Sequence, residues 1–246
     1  MENRRFIGFN SQPTTLKMIN DKVDHLLART PSDSNEKTQF EKRGDMFLGQ
    51  IRFRSSHGEF SARGLGKNLN RMVENITRSI DKQIRKWRSF RETYIDNPSS
   101  KQPDLPKTQN LKKKSILIID DDHDSVRLLE QGLKSLGCKV HYVSDGLKAS
   151  KELAETYFDL IVLDWMMPGL NGGETLEKAE NLIASDGLIG ERKLQREIPV
   201  VICSAKNLEH LGNLPDSEYF NYIDFWQKPV SYKNIVANAT QILTTI

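Results

Sequence analysis

Three carboxylates carry the first chemical signal in this 246-residue chain. Asp120 and Asp121 follow the apolar run Ile116-Leu117-Ile118-Ile119, and Asp164 follows a second run, Leu160-Ile161-Val162-Leu163. Short apolar runs without alternation read as strands buried on both faces, and in open α/β sheets ligands sit at the carboxyl ends of such strands. If the two strands are parallel neighbours, Asp120, Asp121 and Asp164 converge at one edge. Two unit charges about 4 Å apart repel by roughly 4 kcal/mol at an effective dielectric of about 20. A divalent cation relieves that repulsion, and a small set of hard oxygen ligands with positions left for water or phosphate favours Mg²⁺.

The elements needed to hold such a site can be read between residues 115 and 246. After the acids, Asp124 is expected to cap a helix from Ser125, whose stripe is Val126, Leu128, Leu129, Leu133 and Leu136, with Gly137 as its stop. Lys139 to Val143 reads as a strand, Leu147 to Tyr157 as a helix opened by Asp145-Gly146, and the run ending at Asp164 as a third strand. Pro168, Gly169 and Asn171-Gly172 make a tight loop before a helix near Gly173. Ile198 to Cys203 and Ile223 to Trp226 read as the fourth and fifth strands, and Tyr232 to Leu243 as the closing helix. This β-α-β-α-β pattern predicts a doubly wound, five-stranded parallel sheet of the flavodoxin-like class.

The same rim carries Ser204-Ala205 after strand four and Lys228-Pro229 after strand five. With Asp120-Asp121, Asp164, Met167-Pro168 and Gly172, these residues resemble the receiver domain of two-component response regulators. The resemblance implies that Asp164 is the phosphoacceptor, taking a phosphoryl group from phosphohistidine. It implies Mg²⁺ ligation by Asp121, Asp164 and the backbone carbonyl of Met166, with Asp120 acting on the ion directly or through water. Lys228 is expected to pair with a phosphoryl oxygen, Ser204 to hydrogen-bond another, Phe225 to be the aromatic switch residue, and the Lys228-Pro229 bond to be cis. The implied partner is a sensor histidine kinase or a phosphotransfer protein. No enzymatic activity is expected beyond phosphoryl transfer to the protein itself.

Two departures stand against that pattern. The stretch from Ser185 to Glu197 looks like an extension, and the expected fourth helix, Lys206 to Tyr222, is interrupted by Gly212 and Pro215.

The N-terminal part differs in charge. There are 21 Lys and Arg against 13 Asp and Glu through Asn110, and 15 against 20 from Leu111 onward, so a basic module precedes an acidic one. Residues 1–95 are expected to form an α+β domain: a strand at Arg4 to Phe9, a helix at Thr14 to Ala28, and strands at Met46 to Arg54 and from Phe60 to about Gly64. A long helix follows from Lys67 to Tyr94, with Leu69, Met72, Val73, Ile76, Ile80, Ile84, Trp87 and Phe90 as its apolar stripe. Thr30 to Asp45 is polar and reads as loop, with a weak strand around Lys37 to Lys42. Arg63, Lys67, Arg71, Arg78, Lys82, Arg85 and Lys86 are candidate phosphate-tracking residues, the alternative being a solvated helix face. Phe60-Ser61-Ala62-Arg63-Gly64-Leu65-Gly66-Lys67 and the helix through Trp87 resemble the ribosome-hibernation-promoting factor family, which implies contact with RNA of the small ribosomal subunit.

Residues 96–114 hold three prolines and Lys112-Lys113-Lys114, and read as a flexible linker. The expected organisation is therefore 1–95, a linker at 96–114, and a receiver domain at 115–246. Cys138 and Cys203 have no metal-like spacing and are expected to be buried thiols. No signal peptide and no membrane span of roughly 20 apolar residues is evident, so a cytoplasmic protein is expected. The oligomeric state stays open, a homodimer included. A regulator that signals through RNA is the leading function. A protein-interaction regulator or phosphorelay intermediate is the alternative. A DNA-binding factor ranks last, because no helix-turn-helix pattern is present.

Overall fold

The computed structural model describes residues 3–9, 13–96, 111, 114–185, 197–212 and 214–245, with side chains in the second helix described through residue 89. The chain divides into two compact units, the first spanning Met1–Lys107 and the second Thr108–Thr244. Most of the expected linker, and residues 186–196 of the expected extension, lie outside the described residues.

The N-terminal unit runs β1 (Arg4–Ile7), α1 (Pro13–Leu27), β2 (Asn35–Arg43), β3 (Met46–Ser55), β4 (Gly58–Gly66) and α2 (Leu69–Asp96). Its sheet has the order β1-β2-β3-β4. The β1–β2 pair is parallel and the other two pairs are antiparallel, so the sheet is mixed. The stretch expected to be mainly loop contains a full nine-residue strand, β2. Its polar sequence is compatible with that place because only Thr38 and Phe40 enter the core, while strands on both sides supply its backbone hydrogen bonds.

The apolar stripes of α1 and α2 meet the inner face of the sheet in one core. Ile19, Val23, Phe40, Ile51, Phe53, Phe60, Ile76, Ile80 and Ile84 are buried in it. Two polar devices pin its margins. The guanidinium of Arg4 donates to both Glu36 oxygens, at 2.6 and 2.7 Å, and to Asn20 Oδ1 at 3.1 Å, tying β1 to β2 and α1. On edge strand β4, the Gln83 amide accepts from Ser61 N at 3.1 Å and donates to Ser61 O at 2.8 Å, occupying backbone groups that an edge otherwise leaves open.

The C-terminal unit runs β5 (Ser115–Ile119), α3 (His123–Ser135), β6 (Lys139–Val143), α4 (Gly146–Glu155), β7 (Leu160–Asp164), α5 (Gly172–Ser185), β8 (Ile198–Ser204), β9 (Phe220–Gln227) and α6 (Tyr232–Thr245). All five strands are parallel, in the order β6-β5-β7-β8-β9. This is the doubly wound flavodoxin-like arrangement, with the order reversing beside β5.

The helix after the acids differs from expectation at its start. Asp122, not Asp124, is the N-cap: its carboxylate accepts from the amides of Asp124 and Ser125, and α3 begins at His123. The cap residue must sit in extended conformation just before the first turn, as Asp122 does, whereas Asp124 lies inside the first turn, two residues further on. The fifth strand is longer than the apolar run suggested, reaching from Phe220 to Gln227. Where the fourth helix was expected, the described residues hold a 3-10 turn, Leu208–His210, and no α-helix before β9. Gly212 has φ +79°, outside helical space, and Pro215 cannot donate to a preceding turn. Both cysteines are buried and free. Among the described residues, no helix is long and apolar enough to cross a membrane.

Candidate functional site

Each candidate residue in the C-terminal unit stands at or just beyond the end of a strand. Asp120 continues β5, Asp164 closes β7, Ser204 closes β8, and Lys228 follows β9. Parallel pairing brings these ends to one rim, with Asp164 level with Cys203 and Ser204 level with Gln227. The apolar runs form interior strands because both of their faces are covered; Ile116 to Ile119 and Leu160 to Leu163 are almost fully buried.

Asp120, Asp121 and Asp164 each offer a carboxylate oxygen within 4.8 Å of the others. Asp120 is 1% exposed and Asp164 5%. Each buried acid has one oxygen held by a local amide: Asp122 N donates to Asp120 Oδ1 at 3.0 Å, and Met166 N donates to Asp164 Oδ1 at 2.8 Å. The remaining oxygens face Lys228. Its Nζ donates to Asp164 Oδ2 at 2.5 Å and lies 2.8 Å from Asp120 Oδ2. The second contact has the length of an ion pair but not the angles of a hydrogen bond, so Asp120 Oδ2 stays buried without a hydrogen-bond donor.

Electrostatics follow from burial. Burial pushes the Asp120 carboxyl up to about 6, against the charge of Lys228 and the Asp122 amide that hydrogen-bonds it. For Lys228 burial acts downward, but the two carboxylates outweigh it and hold the ammonium above its usual range. An orphaned, buried carboxylate oxygen beside two further carboxylates is a donor set suited to a hard divalent cation. Asp120, Asp121 and Asp164 are the side chains that fit it.

The other expected site groups lie around these acids. Ser204 is fully buried and its Oγ accepts from Lys206 N at 3.1 Å. Lys228 N donates to Ser204 O at 2.8 Å, and the Lys228-Pro229 bond is cis. Phe225 is half-buried on β9. Met166 is 44% exposed at the mouth of the site. A side chain on Gly172 would meet the Asp164 carbonyl at 2.9 Å, so the loop after Asp164 can close only over glycine.

The family model of the response regulator receiver domain matches residues 116–240, just over half of the sequence. This chain belongs to that family. Its receiver domain resembles the two-component response regulator ARR15 of Arabidopsis thaliana, 35% identical over 105 residues that make up 38% of this chain and 46% of ARR15. It also resembles the transcription factor SKN7 of Saccharomyces cerevisiae, 40% identical over 108 residues, 44% of this chain and 14% of SKN7. The chain thus spans less than half the length of either relative. A receiver domain structure from Methanospirillum hungatei aligns with a TM-score of 0.42 at 19% identity, covering 54% of this chain and 95% of that one. The receiver match lies wholly in the C-terminal unit, and these comparisons lend no support to the hibernation-factor resemblance of the N-terminal unit.

The basic candidates do not form one group. Lys67, Arg71, Arg78, Lys82 and Arg85 fall on or just before α2 at steps of three, four and seven residues, and Lys86 follows Lys82 by four, which keeps all six on one helical face. Arg78, Lys82, Arg85 and Lys86 are exposed, and Arg85 reaches Asp81 at 2.5 Å. Arg63 belongs elsewhere. It alternates with the inward-facing Ala62 and Gly64 on β4, opposite Gln50, and so lies on the sheet face turned away from α2. The side chain of Arg91, further along the helix, lies outside the described residues.

Sequence reasoning did not single out Trp165. It is buried beside Asp164 and donates its indole N–H to Leu211 O at 2.7 Å. The only local signal was its position directly after Asp164.

Proposed function

We propose that the protein is a response regulator that takes a phosphoryl group on Asp164 from a phosphohistidine of a sensor kinase or phosphotransfer protein. One observation carries this reading: the Asp164 carboxylate shares a single ammonium, Lys228, with a buried second carboxylate at the same rim. A bound Mg²⁺, held by Asp120, Asp121, Asp164 and the Met166 carbonyl, would neutralise charge on the incoming phosphoryl group.

The chain's own groups do the rest. Met166 N orients Asp164 by holding Oδ1. An Asp164 oxygen forms the new bond to phosphorus while the phosphorus–nitrogen bond of the donor breaks. The electron pair of that bond stays on the imidazole, which takes up a proton. Lys228 then moves its attraction from the carboxylate to a phosphoryl oxygen, and the Ser204 hydroxyl, now accepting from Lys206 N, turns to donate to another. Phe225, half-buried above it, responds as β8 draws in. No separate enzymatic activity belongs to this reading.

The test is Mg²⁺-dependent labelling by acetyl phosphate, read on a phosphate-affinity gel. Labelling is expected in the wild type and absent in Asp164→Asn; a labelled Asp164→Asn protein refutes the assignment.

For the output, we propose that the exposed basic face of α2, opposite its apolar stripe, contacts RNA, the ribosomal small subunit being the target that the hibernation-factor resemblance suggests. The exposed positions of Arg78, Lys82 and Lys86 on one helical face support it. Co-sedimentation with ribosomal subunits at low and high salt tests it. A triple Arg78→Glu, Lys82→Glu, Lys86→Glu variant that sediments as the wild type does rules it out. The pairing of Arg85 with Asp81 favours a second reading, in which the helix meets a protein partner and capture persists after nuclease treatment.

A further inference from the structure

Trp165 directly follows Asp164, yet only 3% of it is exposed at a site that must open to solvent. Three elements enclose its ring. The indole N–H donates to the Leu211 carbonyl at 2.7 Å, across 46 residues of sequence. The first turn of α5 is bare beneath it: a side chain on Gly173 would stand 3.2 Å from the indole, and one on Gly172 2.9 Å. The ring of Tyr222, on β9, meets it edge-on with centroids 6.4 Å apart. The Trp165 backbone is tied as well, its N–H to Cys203 O at 3.0 Å and its carbonyl to Gly172 N at 3.1 Å.

Leu211 lies where a fourth helix was expected. A helix satisfies its own carbonyls, whereas chain without helix must find donors elsewhere. This stretch finds one in the side chain next to the acceptor. Leu208, Leu211 and Leu214 are buried along it, and its first residues leave from Ser204, the hydroxyl of the site.

We infer that Trp165 is a positioning residue for phosphoryl transfer, anchoring the acceptor loop on Leu211 and tying the 206–219 stretch to the state of Asp164. The inference rests on reading Asp164 as the phosphoacceptor. Trp165 has little freedom to turn independently of Asp164, because its backbone N–H and carbonyl are both hydrogen-bonded and its ring is packed against α5 and Tyr222. The next amide, Met166 N, holds Asp164 Oδ1. When Asp164 forms its acyl phosphate, that amide must adjust. Trp165 can follow only by releasing a buried carbonyl, which is unfavourable, or by carrying the Leu211 stretch with it.

The test compares the full-length wild type with Trp165→Phe and with benzothienylalanine at position 165, which keeps the bicyclic shape and removes only the N–H. Amide exchange is followed by mass spectrometry without metal, and the rate of labelling by acetyl phosphate is followed with Mg²⁺. In both variants, peptides covering 206–219 are expected to exchange roughly fivefold faster while β5 and β7 amides stay as in the wild type. The maximal labelling rate is expected to fall roughly tenfold with the half-saturating acetyl phosphate concentration unchanged. Exchange of 206–219 unchanged in the benzothienylalanine protein overturns the anchor, and faster exchange with unaltered labelling overturns the positioning role. If Trp165→Phe does not fold, the benzothienylalanine protein decides both points. A wild type that takes no phosphoryl group refutes the acceptor reading instead, and the metal-free exchange still decides whether the anchor exists.

Discussion

Lys228 Nζ stands 2.8 Å from Asp120 Oδ2, and the same ammonium donates to Asp164 at 2.5 Å. One cation therefore serves two buried carboxylates. Removing it leaves both uncompensated, and breaking a buried pair in this way costs about 3 kcal/mol. Lys228→Met is expected to lower the unfolding free energy of the C-terminal unit, read from urea denaturation of the metal-free protein, by that amount, with a correspondingly lower midpoint. Adding Mg²⁺ should restore much of the loss in the variant while shifting the wild type less. Equal midpoints for the two metal-free proteins would show that the carboxylates are solvated.

Burial raises the Asp120 carboxyl to about 6. Its folded value lies above the ordinary carboxylate value of about 4. The proton on Asp120 thus favours the folded, metal-free state below about pH 4, and this contribution is lost as pH rises through about 6. A cation bound at Asp120 has to displace that proton. Mg²⁺ affinity, measured by calorimetry, is therefore expected to be level above about pH 7 and to fall about tenfold per pH unit below about pH 6. A flat profile across this range would remove Asp120 from the ligand set.

Gly132 faces Ile235 where α3 crosses α6. An added Cβ would lie 2.6 Å from Ile235 Cγ2, a branch too close to its backbone to swing aside. Helix propensity alone would make Gly132→Ala stabilising by about 1 kcal/mol. Overpacking reverses the sign, and a net loss of about 1–2 kcal/mol is expected in urea unfolding. Ile235→Leu moves the branch away from the backbone, so the double variant should lose less than the two single changes together.

In the N-terminal unit, Glu36 is 7% exposed at its side chain and receives two bonds from Arg4. Glu36→Gln keeps the shape but removes the charge and one acceptor, at an expected cost of about 2 kcal/mol. The loss should appear in exchange of β1 and β2 amides and leave β5 to β9 unchanged. A loss spread evenly over both sheets would mean that the two units unfold together.

Much of the receiver fold was legible because its signals are local. Ile116 to Ile119 and Leu160 to Leu163 are continuous apolar runs, which only a sheet covered on both faces can use, and each ends in acid. Lys228-Pro229 and the Pro168-to-Gly172 turn announce themselves by composition. In β2 the same reasoning found only a weak strand around Lys37 to Lys42, within what is the nine-residue strand Asn35–Arg43. Asn35 to Arg43 carries charge on its outward positions, and its two core residues, Thr38 and Phe40, are too few to outweigh it locally. Hydrogen bonds from β1 and β3 make it a strand, and neither partner is visible from within the segment.

By itself, the sequence determined which groups could react and on which strand ends they would stand, since residue type and periodicity belong to neighbours along the chain. Tertiary structure decided what those groups do to one another. It made Lys228 a shared counter-ion, separated Arg63 from the α2 stripe by strand alternation, and set the Trp165 indole on Leu211 O in place of a helix. Those outcomes depend on distances between residues far apart in the chain, and such distances are set only when the sheet orders its strands and the core excludes water.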